Sequence, residues 1–98
     1  MLNTISLTLI GKSGCHLCDE ARVVVNAVVG QFMAEHRGVA RHIQVELVEH
    51  DILVDEVLAA KYSEEVPVLL INGKVHNYWR IDPDRLRGAL DDLAHHES

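Results

Sequence analysis

Cys15 and Cys18 are the only two cysteines in the chain, and they stand three positions apart in Cys15-His16-Leu17-Cys18. A bridge at that spacing closes no loop worth stabilising, so the pair reads as chemistry rather than as a staple. The chemistry available to two neighbouring thiols is thiol–disulfide exchange. One thiolate attacks a disulfide, and the second sulfur resolves the mixed disulfide that results. The local pattern supports Cys15 as the attacker. It falls where a strand pattern gives way to a helix pattern, and unpaired N–H groups with the positive end of the dipole gather at a helix N-terminus. Both favour a thiolate. Lys12 and a protonated His16 act in the same direction, while Asp19 and Glu20 oppose them. Gly14 immediately before the pair keeps Cys15 approachable.

Two neighbouring cysteines have other uses. Half of a zinc site is one, but it needs two further ligands. No second Cys-x-x-Cys exists, and nothing in the spacing gathers His76, His95 and His96 around the first. No metal site is assigned. A weakly metal-binding His95-His96 pair competes with a frayed end.

The elements that must hold the pair follow from periodicity. Ile5, Leu7 and Leu9 alternate with Ser6 and Thr8, a strand pattern that Gly11 to Gly14 interrupts. Leu17, Ala21, Val24, Val25, Val28 and Phe32 then recur at helical spacing. Valine is a poor helix former, so burial must hold this helix, and Gly38 is the expected cap at its end. Ile43, Val45 and Leu47 mark a second strand. Asp51 is expected to cap a short helix over roughly 53–62, with Val54, Val57, Leu58 and Tyr62 as its apolar face. After Pro67, Val68 to Ile71 reads as a buried strand. Asn72-Gly73 is the preferred type I′ hairpin pair, and a fourth strand is predicted over 74–79. Asp82-Pro83 opens a last helix whose core side is Leu86, Ala89, Leu90 and Leu93. The order is βαβαββα, which implies a right-handed parallel crossover and one four-stranded mixed sheet with helices on both faces.

The chain has 98 residues, 48% of them apolar and 24% charged, with a net charge of −6. Those are the values of one globular domain spanning 1–98. The acidic balance argues against a nucleic-acid partner. No apolar run approaches the ~20 residues of a membrane span. The first residues lack the basic start of a secretion signal, so a cytoplasmic location is expected.

Lys12-Ser13-Gly14-Cys15-His16-Leu17-Cys18, Val66-Pro67 about fifty residues later, and the Ile71-Asn72-Gly73 hairpin together resemble the glutaredoxin family within the thioredoxin-like fold. Cys-His-Leu-Cys-Asp-Glu-Ala with a later Val-Pro-Val-Leu strand is closer still to a group of short bacterial glutaredoxin-like proteins. The resemblance implies that Cys15 attacks and Cys18 resolves. It also implies a cis Pro67 facing the pair, with the backbone of Val66 turned outward to meet an extended thiol substrate. Glutathione is the co-substrate it offers, with no tightly bound cofactor and with Lys12 as a carboxylate partner.

Three departures bear on that expectation. His16 and Leu17 replace Pro and Tyr between the cysteines. His16 either tunes the potential toward oxidation or stands in solvent. Asn77-Tyr78 occupies the place of a Gly-Gly pair that lets glutathione approach the backbone, and two side chains crowd such an approach. Asp82 or Asp84 stands near the family's following Asp, though the helix start explains either. Tyr78, Trp79 and Arg80 replace small residues. They either cover the sulfurs and receive a partner, or Trp79 packs under the last helix.

The leading expectation is therefore a thiol–disulfide oxidoreductase acting on protein disulfides or small mixed disulfides. A non-catalytic redox-sensing or protein-binding module is the alternative. A third reading, an iron–sulfur cluster shared between two chains, would need glutathione as a ligand.

Overall fold

A computed structural model describes residues 3–36 and 43–95. The elements run β1 (Asn3–Gly11), α1 (His16–Glu35), β2 (Ile43–Asp51), α2 (Glu56–Tyr62), β3 (Val68–Ile71), β4 (Lys74–Tyr78) and α3 (Pro83–His95). This is the expected order. The four strands form one sheet in the order β2-β1-β3-β4. β1 and β2 are parallel in the register Asn3↔Ile43 through Gly11↔Asp51, while β1–β3 and β3–β4 are antiparallel.

Alternation along β1 divides the core between two faces. Ile5, Leu7 and Leu9 pack against Ala21, Val25, Val28 and Phe32 of α1 and Leu86 and Leu90 of α3. Ile10, with Val68 of β3, belongs to a smaller cluster on the other face that includes Cys18, Ile52, Tyr62 and Val66. Val25 and Val28 of α1 are thus held by burial, as their low helix propensity requires, while Val23 faces solvent. Arg87 of α3 ties the far end of α1 in place with two bonds to Glu35, at 2.6 and 3.2 Å.

The hairpin is the two-residue turn that Asn72-Gly73 favours, with positive φ at both positions (51° and 82°). Asp82 caps α3 through bonds from the Asp84 and Arg85 amides. α1 ends at Glu35 with His36 as its cap; the expected cap Gly38 and His96 lie outside the described residues.

The second helix departs from expectation. Asp51 does not cap it, because the β1–β2 register carries β2 as far as Asp51. Its carboxylate instead accepts from Ser13 Oγ and from the Leu53 amide. Those bonds, that of Ser13 first, hold it below the usual carboxylate range. The cap is Asp55, which accepts from the Val57 and Leu58 amides at 3.1 Å. The helix therefore starts at Glu56, and its buried side shifts: Val54 and Val57 are 85% and 77% exposed, while Leu58, Ala59 and Tyr62 face the smaller cluster.

β4 contains an irregularity opposite Leu69 and Leu70, whose partners are Asn77 and Val75, so His76 is the extra residue. Its Nε2 is buried without a partner. Burial pushes its pKa down, with Arg85 adding to the effect and Asp82 opposing it.

Candidate dithiol site

The site begins where β1 runs out. After Gly11, the segment 12–15 turns the chain so that Cys15 becomes the N-cap of α1. Gly14 takes a φ of +79°, a left-handed conformation that any Cβ would penalise. The Cys15 amide donates to the Lys12 carbonyl at 3.2 Å, closing the turn. With Cys15 extended (φ −92°, ψ 121°), its side chain aims at the helix end and accepts from the Cys18 amide at 3.3 Å. The sulfur occupies the capping position normally held by an oxygen, so part of the unpaired N–H charge of α1 falls on it.

Cys18 lies one turn on and is buried, with 3% exposure. Both thiols are free. Burial pushes the Cys18 thiol up to about 11, the hydrogen bond with the Cys15 side chain adds to this, and a backbone hydrogen bond with Lys12 partly offsets it. The pair is thus asymmetric: Cys15 is half-buried at the helix mouth and Cys18 is behind it. Gly11 makes that burial feasible. A Cβ there would meet Cys18 Sγ at 3.2 Å and Cys18 Cβ at 3.3 Å.

The remaining residues singled out in the sequence fall into place unequally. The Val66–Pro67 peptide is cis. Val66 shares the smaller cluster with Cys18, and Cys15 packs against the same cluster, so the sulfurs and Val66 are brought together. Among the described residues no backbone partner takes up the Val66 N–H or C=O. Lys12 is exposed beside the pair, lining a polar recess with Ser13, Cys18 and Asp51. Across the same recess Arg22 bridges Asp19 at 3.1 Å and Glu49 at 2.7 Å. His16 points to solvent, its side chain 91% exposed and its Nε2 3.8 Å from Glu20. Tyr78 ends β4 half-exposed. Asn77 accepts from the Asp82 amide at 2.9 Å and ties β4 to the start of α3. No three His, Cys, Asp or Glu side chains gather as a metal site among the described residues. Nor is any described helix long and apolar enough to cross a membrane.

Trp79 does not pack under α3. It is 53% exposed, adopts a φ of +59°, and stands 5.9 Å from the Tyr78 ring. Two bonds fix it: its amide donates to the Pro67 carbonyl at 2.7 Å, and its indole Nε1 to the Glu64 carbonyl at 3.2 Å. Two features of the site escaped sequence reasoning. The Gly11 contact with Cys18 is tertiary and leaves no local signal. The Trp79 placement depends on the turn after β4; its one local signal is an aromatic residue just before the Asp82-Pro83 helix start.

Comparison with known proteins agrees with this geometry. The family model for the glutaredoxin-like domain (DUF836) matches residues 6–91. An uncharacterized protein of Mycobacterium tuberculosis is 39% identical over 33 residues, a stretch covering 34% of this chain and 34% of that protein. The match therefore spans about a third of that relative's length. Among solved structures, structural genomics target XcR50 from X. campestris superposes with a TM-score of 0.55 at 29% identity, covering 88% of this chain and 96% of that one. A mutant thioredoxin from Halobacterium salinarum superposes with a TM-score of 0.58 at 21% identity, covering 94% and 76%. The latter shares the fold. With the family model running from β1 into α3, the chain belongs to the glutaredoxin-like domain family and has a thioredoxin-like fold.

Proposed function

We propose that this chain is a dithiol thiol–disulfide oxidoreductase. The observation that carries the reading is the unequal placement of the two sulfurs: Cys15 Sγ caps α1 at 3.3 Å from the Cys18 amide, and Cys18 is buried behind it. Cys15 as thiolate attacks one sulfur of a substrate disulfide. The S–S bond breaks, a Cys15–substrate disulfide forms, and the other substrate sulfur leaves as a thiolate. Cys18 then loses its proton and attacks Cys15 Sγ. The Cys15–Cys18 disulfide forms, and the second substrate sulfur is released. The protein is oxidised by two electrons and the substrate reduced by two. The high Cys18 pKa keeps that group a thiol while Cys15 reacts.

The substrates are protein disulfides or small mixed disulfides. The backbone of Val66, which has no backbone partner among the described residues, is a strand-like edge for the substrate main chain. Asn77 and Tyr78 carry side chains where the family uses glycine, and Asn77 is committed to Asp82. This favours peptide-like substrates, with glutathione a co-substrate that lacks the family's close backbone contact. Lys12 is its carboxylate partner. The cytoplasm, where thiols are kept reduced, supplies the electrons such a dithiol needs.

The test is disulfide reduction by single-cysteine variants. Cys15→Ser should abolish turnover. Cys18→Ser should accumulate a mixed disulfide on Cys15, visible by mass. Full activity in Cys15→Ser would overturn the reading. The exposed Trp79 favours a second one, a redox-dependent binding module, which predicts negligible turnover with every reductant and capture of one specific protein.

A further inference from the structure

Beside the dithiol, α1 and the turn after β4 enclose a cleft of about 490 Å³ that the exchange reaction does not use. It starts at Leu17, which stands between His16 and Cys18 in the motif, and is walled by Ala21, Val24 and Ile81 with Trp79 and Arg80 at its rim. Its character differs from the polar recess near Lys12, where Arg22 is paired with Asp19 and Glu49.

We propose that this cleft seats a segment of the disulfide-bearing protein partner, a bulky apolar side chain entering between Leu17 and Trp79 and an adjacent carboxylate meeting Arg80. The inference deepens the oxidoreductase reading and rests on it, because it names what such a partner carries next to its half-cystine.

Three observations converge on that occupant. The cleft is continuous with the motif through Leu17, so a chain bound at Cys15 reaches it within a few residues at about 3.3 Å each. Trp79 is presented rather than merely left outside. Its φ of +59° is uncommon for a bulky residue, and bonds to Pro67 and Glu64 hold it there. A rigid exposed indole offers apolar area at low ordering cost. Charge decides the rest. Glu20, the acidic group of the cleft, is on α1 with His16 at 3.8 Å, an ion pair only while that ring is protonated, whereas Arg80, on the turn opposite, has no carboxylate partner among the described residues. The chain's net charge of −6 would draw basic partners from afar. At physiological ionic strength that field fades within about 8 Å, so the contact at Arg80 sets the preference.

Trp79 is the only tryptophan in the chain, so its emission reports the cleft directly. The probes are two hexapeptides with Ser in place of half-cystine and a Leu two residues away, one carrying Asp beside the Leu and the other Lys. The Asp peptide should shift Trp79 emission to the blue saturably and bind about fivefold more tightly than the Lys peptide, the size of one exposed ion pair. Arg80→Glu, an exposed substitution, should reverse that order. No emission change with the Asp peptide, or the same order of affinities in Arg80→Glu, would overturn the proposal. Neither peptide contains a thiol, so this result is independent of turnover. Failure of the oxidoreductase reading is seen separately, in Cys15→Ser.

Discussion

Gly11 and Cys18 are in contact so close that a Cβ on the glycine would lie 3.2 Å from the sulfur and 3.3 Å from the cysteine Cβ. The end of β1 is the floor beneath the second cysteine. Cys18 has little freedom to move away, since its amide is bonded to Cys15 Sγ and it sits in the first turn of a 20-residue helix packed along its length.

Gly11→Ala should therefore destabilise the reduced protein by about 1 kcal/mol, the low end of the usual cost of overpacking, because the loss of glycine's freedom in the unfolded chain offsets part of it. Urea denaturation measures it. In a Cys18→Ala background the Sγ contact is gone, and the penalty should shrink, the non-additivity expected of residues in contact. Equal penalties in both backgrounds would show that the sulfur yields freely.

The buried thiol makes a second prediction, about pH. Cys18 is raised from 9.0 to about 11, chiefly by burial. Between those values the unfolded chain releases a proton that the folded chain retains. Stability is thus fully present below about pH 9 and falls as pH rises toward 11. Denaturation of the reduced protein across that window should show the decline, and Cys18→Ala should show less of it. Parallel curves for the two proteins would contradict the assignment.

The cap of α2 offers a third. Asp55 accepts from two amides of a seven-residue helix, and so short a helix depends heavily on its ends and its packing. Asp55→Ala should cost about 1 kcal/mol, whereas Asp55→Asn or Asp55→Ser should recover most of it. Thermal or urea unfolding distinguishes the three. An alanine variant as stable as the parent would mean that α2 is held by Leu58, Ala59 and Tyr62 alone.

Much of the architecture was legible in the residues because local and global preferences agree. Period-two and period-3.6 patterns located β1, α1 and β2. Asn72-Gly73 specified its own turn, and Asp82-Pro83 its own helix start. The Cys15 position followed from the same change of period. What was not legible depends on partners distant in sequence. Asp51 resembles a helix cap as much as Asp55 does, and only the pairing of β2 with β1 uses it up. Val54 and Val57 have helical spacing but face outward, because α2 starts later than the apolar pattern suggests. His76 becomes an extra residue in β4 through its pairing with β3. Trp79 looks like a core residue by type, and its bonds to the Pro67 and Glu64 carbonyls are what hold it at the surface.

The two apolar clusters lie on opposite faces of the sheet, and both cysteines belong to the smaller one. The sheet is thus a bulkhead. The sulfurs share their compartment with Leu58, Ala59 and Tyr62 of the seven-residue α2, while Phe32, Leu86 and Leu90 pack in the larger one. α1 is the helix common to both, through Cys18 in the smaller and Ala21, Val25, Val28 and Phe32 in the larger, so a displacement at the sulfurs is passed along the helix into the main core.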